Sequence, residues 1–214
     1  MDTVERLIDF FAPDHYNLIL DLDRPGRTFH GTVTITGQTK NDNTPIKLHS
    51  KDLTVENVSI DEQSATFTTG ENDELAISVD HLAAGNHTVT VTFSGKITNP
   101  MHGLYPCYYE HDGAKKELLA TQFESHHARE VFPCIDEPAA KATFDLKLVT
   151  EQGVTVLSNM PVVEQTEDND RLVTTFDKTP RMSTYLLAFV VGDLQRKTAK
   201  TNSGVEVNVY ATVA

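Results

Sequence analysis

The fold is decided in residues 119–146, which read LATQFESHHAREVFPCIDEPAAKATFDL. Aromatic, proline and charged residues lie close together in this segment, whereas they alternate through most of the chain. The segment divides into two parts of different composition. Its first part predicts a strand, and its second part predicts a fixed loop.

The predicted strand covers residues 118–124. Side chains two apart on a strand point to the same face, so Gln122 and Glu124 share one face and Phe123 points to the other. A carboxyl group and an amide on one face are able to bind a small cationic group through charge-assisted hydrogen bonds. Alternation is also the ordinary pattern of a half-solvated strand, and spacing alone leaves that simpler interpretation open.

The predicted loop follows because Pro133 and Pro138 each lack a donor N–H and disfavour helix at the residue before them. Arg129 lies seven residues before Asp136, and its planar guanidinium suits a carboxylate. We therefore expect Arg129 to pair with Asp136 or Glu137 and clamp the loop. This structural interpretation is preferred to a catalytic one.

Strand-length runs recur on both sides of the segment. The longest, residues 28–39, places Phe29, Val33 and Ile35 on one side with Gly31 and Gly37. Other predicted strands cover residues 16–22, 46–49, 53–60, 65–68, 74–79, 87–97, 142–150, 155–158, 172–176, 184–191 and 205–212. Regular spacing without helical periods between the runs predicts an all-β protein, a large antiparallel sandwich of several sheets.

Three further local predictions are made. Residues 1–11 have the apolar spacing of a short amphipathic helix that ends before Pro13. Residues 185–191 form the most apolar run and predict a buried central strand. Residues 164–171 are polar and predict a solvated hairpin tip.

Composition excludes several classes of protein. A net charge of −13, from 18 basic and 31 acidic residues, opposes binding to nucleic acid and to anionic membranes. No run approaches the length of a membrane span, and the acidic amino terminus is unlike a signal peptide. Cys107 and Cys134 are too few for a disulfide framework and are expected to be free thiols.

The fixed residues of the central segment resemble the amino-terminal domain of the aminopeptidase N family of zinc metallopeptidases, the gluzincins, in their bacterial cytoplasmic form. The resemblance rests on Thr121-Gln122-Phe123-Glu124, Ala128-Arg129, Phe132-Pro133-Cys134, Asp136-Glu137-Pro138-Ala139 and Lys141-Ala142-Thr143-Phe144, with Gly103-Leu104-Tyr105 and Tyr109 upstream. Together these residues make a specific match over about forty positions, although each alone would be weak.

The resemblance implies a single saddle-like domain over residues 1–214, followed by a catalytic domain that it caps. It implies that Glu124 receives the free α-amino group of a peptide substrate and that Gln122 lies beside it. It also implies zinc in the full-length enzyme, cytoplasmic location and an inactive isolated fragment.

The chain itself lacks the catalytic motifs of that family. It contains no His-Glu-x-x-His and no Gly-x-Met-Glu-Asn sequence. Seven of its nine histidines are scattered, and the adjacent pair, His126 and His127, would not point at one site from a strand. We therefore expect no metal to be bound by this fragment.

The sequence is also compatible with two other functions. One is a non-catalytic β-sandwich module that binds peptide or carbohydrate, for which Tyr105, Tyr108 and Tyr109 would supply an exposed aromatic face. The other is an inactive relative of the peptidase that serves as a scaffold.

Overall fold

The computed structural model describes residues 5–213, and these residues form strands with three short 3-10 helices. The 3-10 helices cover Leu7–Asp9, Ala128–Glu130 and Thr184–Leu186. The strands in chain order are β1 (Phe11–Asp23), β2 (Thr28–Thr39), β3 (Ile46–His49), β4 (Thr54–Ile60), β5 (Gln63–Ser64), β6 (Thr66–Thr69), β7 (Glu74–Ser78), β8 (Gly85–Lys96), β9 (Gly103–His111), β10 (Ala114–Gln122), β11 (Thr143–Glu151), β12 (Thr155–Ser158), β13 (Val162–Asp168), β14 (Arg171–Phe176), β15 (Phe189–Gly192), β16 (Leu194–Lys200) and β17 (Glu206–Thr212). The predicted all-β class is confirmed.

The largest sheet among the described residues has eight strands in the order β13-β14-β11-β1-β2-β8-β4-β5. Most of its pairs are antiparallel, but β1 and β11 run parallel from the pair His15 and Thr143 to the pair Asp21 and Val149. The expected antiparallel sandwich therefore contains a parallel pair at its centre. A parallel pair requires a long crossover, and the chain from β2 to β10 provides it.

The remaining strands form smaller sheets. One has four strands in the order β12-β15-β10-β9, one has three in the order β3-β7-β6, and β16 pairs with β17 as a ribbon. β10 lies inside the four-stranded sheet, and it carries the residues at which the candidate site begins.

The core lies between the sheets and is continuous across them. β2 shows the expected alternation, because Phe29, Gly31, Val33, Ile35 and Gly37 are buried while the even-numbered residues of the strand are partly or fully exposed. Tyr16 on β1 stacks on Phe144 of β11, with ring centroids 4.8 Å apart. This packing joins the first strand to the strand that follows the central segment.

The prediction for the amino-terminal segment is confirmed in part, because one helical turn is present but the chain enters a strand before Pro13, and residues 1–4 lie outside the described residues. A 3-10 helix covers Leu7–Asp9, and β1 begins at Phe11 and includes Pro13. Pro13 is accepted there because β11 pairs with β1 only from His15 onward, so no partner requires an N–H at residue 13 from that side.

Two predictions near the carboxyl-terminal half also need correction. The strand expected at residues 184–191 begins as a 3-10 helix, and only Phe189–Gly192 forms β15, inside its sheet. The hairpin tip expected at residues 164–171 is the turn Asn169-Asp170, because Val162–Asp168 pairs with β14 as an exposed strand. Polar composition indicated exposure correctly but did not distinguish an edge strand from a turn.

Candidate functional site

The candidate site begins where β10 ends. Gln122 is the last residue of β10 and lies opposite Gly103, the first residue of β9. The predicted strand is therefore wrong at its end, since Glu124 lies two residues beyond it. β10 ends here because β9 has no residue before Gly103 that could pair with it. On the other side of β10, the N–H of Phe189 donates to the hydroxyl of Thr121 at 3.0 Å, so a side chain accepts this hydrogen bond.

Exposure nevertheless follows the predicted alternation. Gln122 and Glu124 are exposed, whereas Phe123 is 2% exposed and packs edge-on against Phe132 with centroids 6.1 Å apart. Among residues 5–213, the side chains of Gln122 and Glu124 have no hydrogen-bond or ion-pair partner. A solvent-facing amide and carboxylate are thus presented from a backbone that is anchored by a buried ring.

A short turn and a 3-10 helix follow Glu124 and lead into the loop clamp. The N–H of His127 donates to the carbonyl of Phe123 at 2.9 Å. Arg129, in the 3-10 helix, donates from its backbone N–H and from Nε to Oδ2 of Asp136, at 3.3 and 3.2 Å. Its Nη2 donates to the carbonyl oxygen of Asp136 at 3.3 Å, and its Nη1 donates to Asp73 at 3.3 Å.

Both partners of this pair are removed from solvent. The Asp136 side chain is 1% exposed and that of Arg129 is 11% exposed. The other carboxylate oxygen of Asp136 accepts from the hydroxyl of Thr184 at 2.7 Å. A buried ion pair is costly to break because the remaining charge is left without a partner.

Glu137, the other partner that was considered for Arg129, does not pair with it. Its two carboxylate oxygens accept from the N–H of Leu7 at 2.7 Å and from Nε of Arg6 at 3.0 Å. The structure therefore places Asp136 beside Arg129, while Glu137 fastens the amino-terminal segment to the same loop.

His49 holds the loop from the opposite side, a role that no pattern in the sequence predicted. It forms an isolated antiparallel bridge with Cys134, and its Nδ1 accepts from the N–H of Asp136 at 3.1 Å. Burial lowers the pKa of His49, and the positive charge of Arg129 lowers it further. A neutral ring with an unprotonated Nδ1 fits this acceptor position.

A second cluster lies directly beside the turn. Nδ1 of His102 lies 2.6 Å from Oε2 of Glu130, and Nδ1 of His127 lies 3.0 Å from Oε1. Lys51 also donates to Oε1 at 2.9 Å. Burial would raise the pKa of Glu130, but hydrogen bonds from Lys51, His127 and His102 lower it to about 2.

The histidine rings of this cluster are stacked. The centroids of His102 and His127 are 4.3 Å apart, and those of His127 and His126 are 4.8 Å apart. The adjacent pair lies in a turn, so the strand geometry used in the sequence argument does not apply to it. His102 and Glu130 also line a surface cavity of about 790 Å³ between the eight-stranded sheet and the start of β9.

Comparison with known proteins identifies the family of this chain. Residues 12–186 match the family model described as the peptidase M1 N-terminal domain. The chain belongs to that family. The matched range runs from β1 into the third 3-10 helix, so it includes Gln122, Glu124 and the loop clamp, while the ribbon of β16 and β17 lies outside it.

Individual relatives of this peptidase M1 N-terminal domain are aminopeptidases. The chain is 50% identical over 215 residues to aminopeptidase N of Lactococcus lactis subsp. lactis, covering 99% of this chain and 25% of the relative. It is 43% identical to aminopeptidase N of Lactobacillus delbrueckii subsp. lactis, with 99% and 24% covered. It is 39% identical to puromycin-sensitive aminopeptidase of Caenorhabditis elegans, with 96% and 23% covered. The chain spans about a quarter of the length of these curated relatives.

Other observations bear on the remaining sequence predictions. Tyr108 is 64% exposed, but it points to the opposite face of β9 from Tyr105 and Tyr109, so the three rings do not form one aromatic face. Cys107 and Cys134 are unpaired, as predicted. No helix within residues 5–213 is long and apolar enough to cross a membrane.

Proposed function

We propose that this chain is the amino-terminal domain of a larger zinc-dependent aminopeptidase and that Glu124, with Gln122 beside it, binds the free α-amino group of a peptide substrate. The observation that carries the proposal is the exposed, unpartnered pair of side chains beside an anchored Phe123. The family and the named aminopeptidase relatives support it.

The chemistry of the pair fits an ammonium ligand. A carboxylate that accepts a charge-assisted hydrogen bond from an ammonium group contributes about 1.5–3 kcal/mol, and the neighbouring amide oxygen adds a second acceptor. An internal peptide bond offers no cation at this point. The pair would therefore favour removal of amino-terminal residues over cleavage within a peptide.

The bond-breaking chemistry is assigned to a domain outside these 214 residues. The catalytic zinc of such an enzyme needs two histidines at helical spacing with a glutamate between them, and this chain contains no such motif. Its residues do not fit that zinc, so this domain contributes substrate binding and covers the catalytic domain. We expect no hydrolysis by the isolated chain.

One surface suits contact with a second domain. Val205, just before β17, and Val207 and Val209, in β17, are 59%, 42% and 61% exposed. Burying such a row of apolar side chains against a partner is favourable. We assign this ribbon to the contact with the catalytic domain of the same protein.

The proposed location is the cytoplasm, and the proposed substrates are peptides with a free amino terminus. Two unpaired cysteines and a net charge of −13 are consistent with a reducing compartment and with the lack of nucleic-acid or membrane partners.

The experiment that tests the proposal uses the full-length protein and an uncharged aminoacyl reporter. Glu124→Ala is expected to lower kcat/KM by about tenfold to a hundredfold, which corresponds to the loss of a charge-assisted hydrogen bond. Glu110→Ala is the matched control, because Glu110 is also an exposed glutamate but lies on β9 away from the end of β10. Equal activity of the two variants would refute the role of Glu124.

A further inference from the structure

Three potential metal ligands meet beside the turn that carries Glu124. His102 precedes β9, His127 lies in the turn after β10, and Glu130 ends the second 3-10 helix. One donor atom from each residue lies within 4.8 Å of the other two. Two imidazole nitrogens and a carboxylate oxygen are a ligand set that Zn²⁺ and related divalent ions accept.

The donor atoms already face one another. Nδ1 of His102 and Nδ1 of His127 lie 2.6 and 3.0 Å from the two oxygens of Glu130. Because a carboxylate only accepts hydrogen bonds, each contact holds a proton between nitrogen and oxygen. An ion with ligands at about 2.0–2.2 Å would take the place of these protons after a small outward movement of the rings, and each displaced proton would pass to solvent or to Nε2 of its own ring.

We propose that His102, His127 and Glu130 form a binding site for a divalent transition-metal ion such as Zn²⁺. This site is distinct from the catalytic zinc assigned above to another domain, and it does not depend on the proposed function. Three protein ligands leave a further coordination position for water.

Access to the site is open on the histidine side. The side chains of His102 and His127 are 39% and 21% exposed, and that of Glu130 is 11% exposed. His102 and Glu130 line the surface cavity described above, so an ion reaches the donors without local unfolding. The carboxylate is held in place, whereas the rings have room to adjust.

Lys51 is the group that opposes the ion. Its ammonium lies 2.9 Å from Oε1 of Glu130, and two cations compete for one carboxylate. The Lys51 side chain is 37% exposed and is able to turn into solvent when the ion binds. Replacing Lys51 by a neutral residue should therefore strengthen metal binding.

A bound ion would join two segments near the candidate substrate site. His127 is linked through its N–H to the carbonyl of Phe123, the residue before Glu124. The ion would tie this turn to the segment before β9. This proposal departs from the sequence-based expectation that this chain binds no metal.

Zinc content tests the proposal on the full-length protein. Wild type, His102→Ala and His81→Ala are dialysed against the same buffered Zn²⁺ solution, and bound zinc per chain is measured by mass spectrometry of the metal. His81 is exposed and lies outside the cluster, which makes it the matched control. Wild type and His81→Ala are expected to hold one more zinc ion than His102→Ala, whose affinity at this site should fall at least about tenfold.

Lys51→Gln gives an independent gain-of-binding test that does not remove a ligand. Its zinc affinity at this site is expected to rise about threefold to fivefold, the size of a partly exposed ionic interaction. Equal zinc content of wild type and His102→Ala overturns the proposal. Unchanged zinc affinity in Lys51→Gln also overturns it, because Glu130 would then not be a ligand.

Discussion

Asp136 is buried and forms hydrogen bonds through both its carboxylate and its backbone. Arg129 and Thr184 bind its two oxygens, and its N–H donates to His49. These partners come from three separate parts of the chain. The loop at residues 132–138 is therefore held by side chains on all sides, and the position of Glu124 depends on it through Phe123 and Phe132.

Loss of the Asp136 carboxylate should strongly destabilise the domain. Asp136→Ala leaves the largely buried Arg129 guanidinium with Asp73 as its remaining acidic partner and removes the acceptor of the Thr184 hydroxyl. We expect a loss of about 3–5 kcal/mol in the free energy of unfolding, measured with urea. Asp193→Ala is the control, since it breaks only the solvent-exposed pair with Lys116 and should change the free energy of unfolding very little. Similar small losses in both variants would contradict a buried clamp.

His49 makes the clamp sensitive to acid. Burial and the Arg129 charge lower its pKa in the folded state, so the unfolded chain takes up a proton at higher pH than the folded chain does. Stability from this group is therefore full above the ordinary histidine range and is lost as pH falls through it.

Replacing His49 should remove this part of the acid sensitivity. His49→Asn keeps a neutral acceptor, and its loss of unfolding free energy between pH 7.5 and pH 5.5 is expected to be smaller than that of wild type. Urea denaturation at both pH values measures the difference, with His81→Asn as an exposed control. An acid sensitivity equal to that of wild type would show that His49 does not titrate as argued.

At the scale of elements, β2 organises the largest sheet by pairing along its whole length with β1 and β8. Gly31 lies opposite Leu20 on one side and Phe93 on the other. The absence of a side chain at Gly31 leaves room for both. A Cβ atom at this position would lie 2.5 Å from the Phe93 ring.

Filling this space should weaken the sheet. Gly31→Ala forces the Phe93 ring to move, and overpacking of this kind costs about 1–3 kcal/mol in unfolding free energy. Gly70→Ala is the control, because its Cβ atom would meet Glu74 at an ordinary contact distance of 3.7 Å. Chemical denaturation of the two variants separates the effects, and equal stability would mean that the sheet yields at Gly31 without strain.

The sequence predicted some elements closely and others poorly, for physical reasons. β2, β3 and β12 have the predicted bounds because turn residues punctuate both ends. β9 was missed because Pro106 and the tyrosines around it interrupt the alternation of polar and apolar residues, and β16 was missed because its polar and charged residues hide that alternation. The sequence predicted that Arg129 pairs with Asp136 or Glu137, because these residues lie close together along the chain, and Asp136 is its partner in the structure. The roles of His49, Thr184 and His102 depend on partners that only the folded chain brings together.

At the scale of the molecule, the exposed pair Gln122 and Glu124 and the exposed valines of the β16–β17 ribbon suit a domain that works against a second surface. Gln122 and Glu124 face outward without partners among the described residues, and the valines of β17 are exposed. The peptidase M1 N-terminal domain family and the coverage of about a quarter of each relative agree with this interpretation.

The most direct test of Glu124 as the group that binds the α-amino cation is a thermodynamic cycle, in which the carboxylate of Glu124 and the amino group of a ligand are removed separately and together. Inhibition constants of an amino-acid-derived inhibitor and of its desamino analogue are measured with full-length wild type and Glu124→Ala. The Glu124→Ala variant is expected to bind the amino inhibitor about tenfold to a hundredfold more weakly and to bind the desamino analogue as tightly as wild type does. Equal changes for both ligands, or none, would contradict Glu124 as the group that receives the α-amino cation.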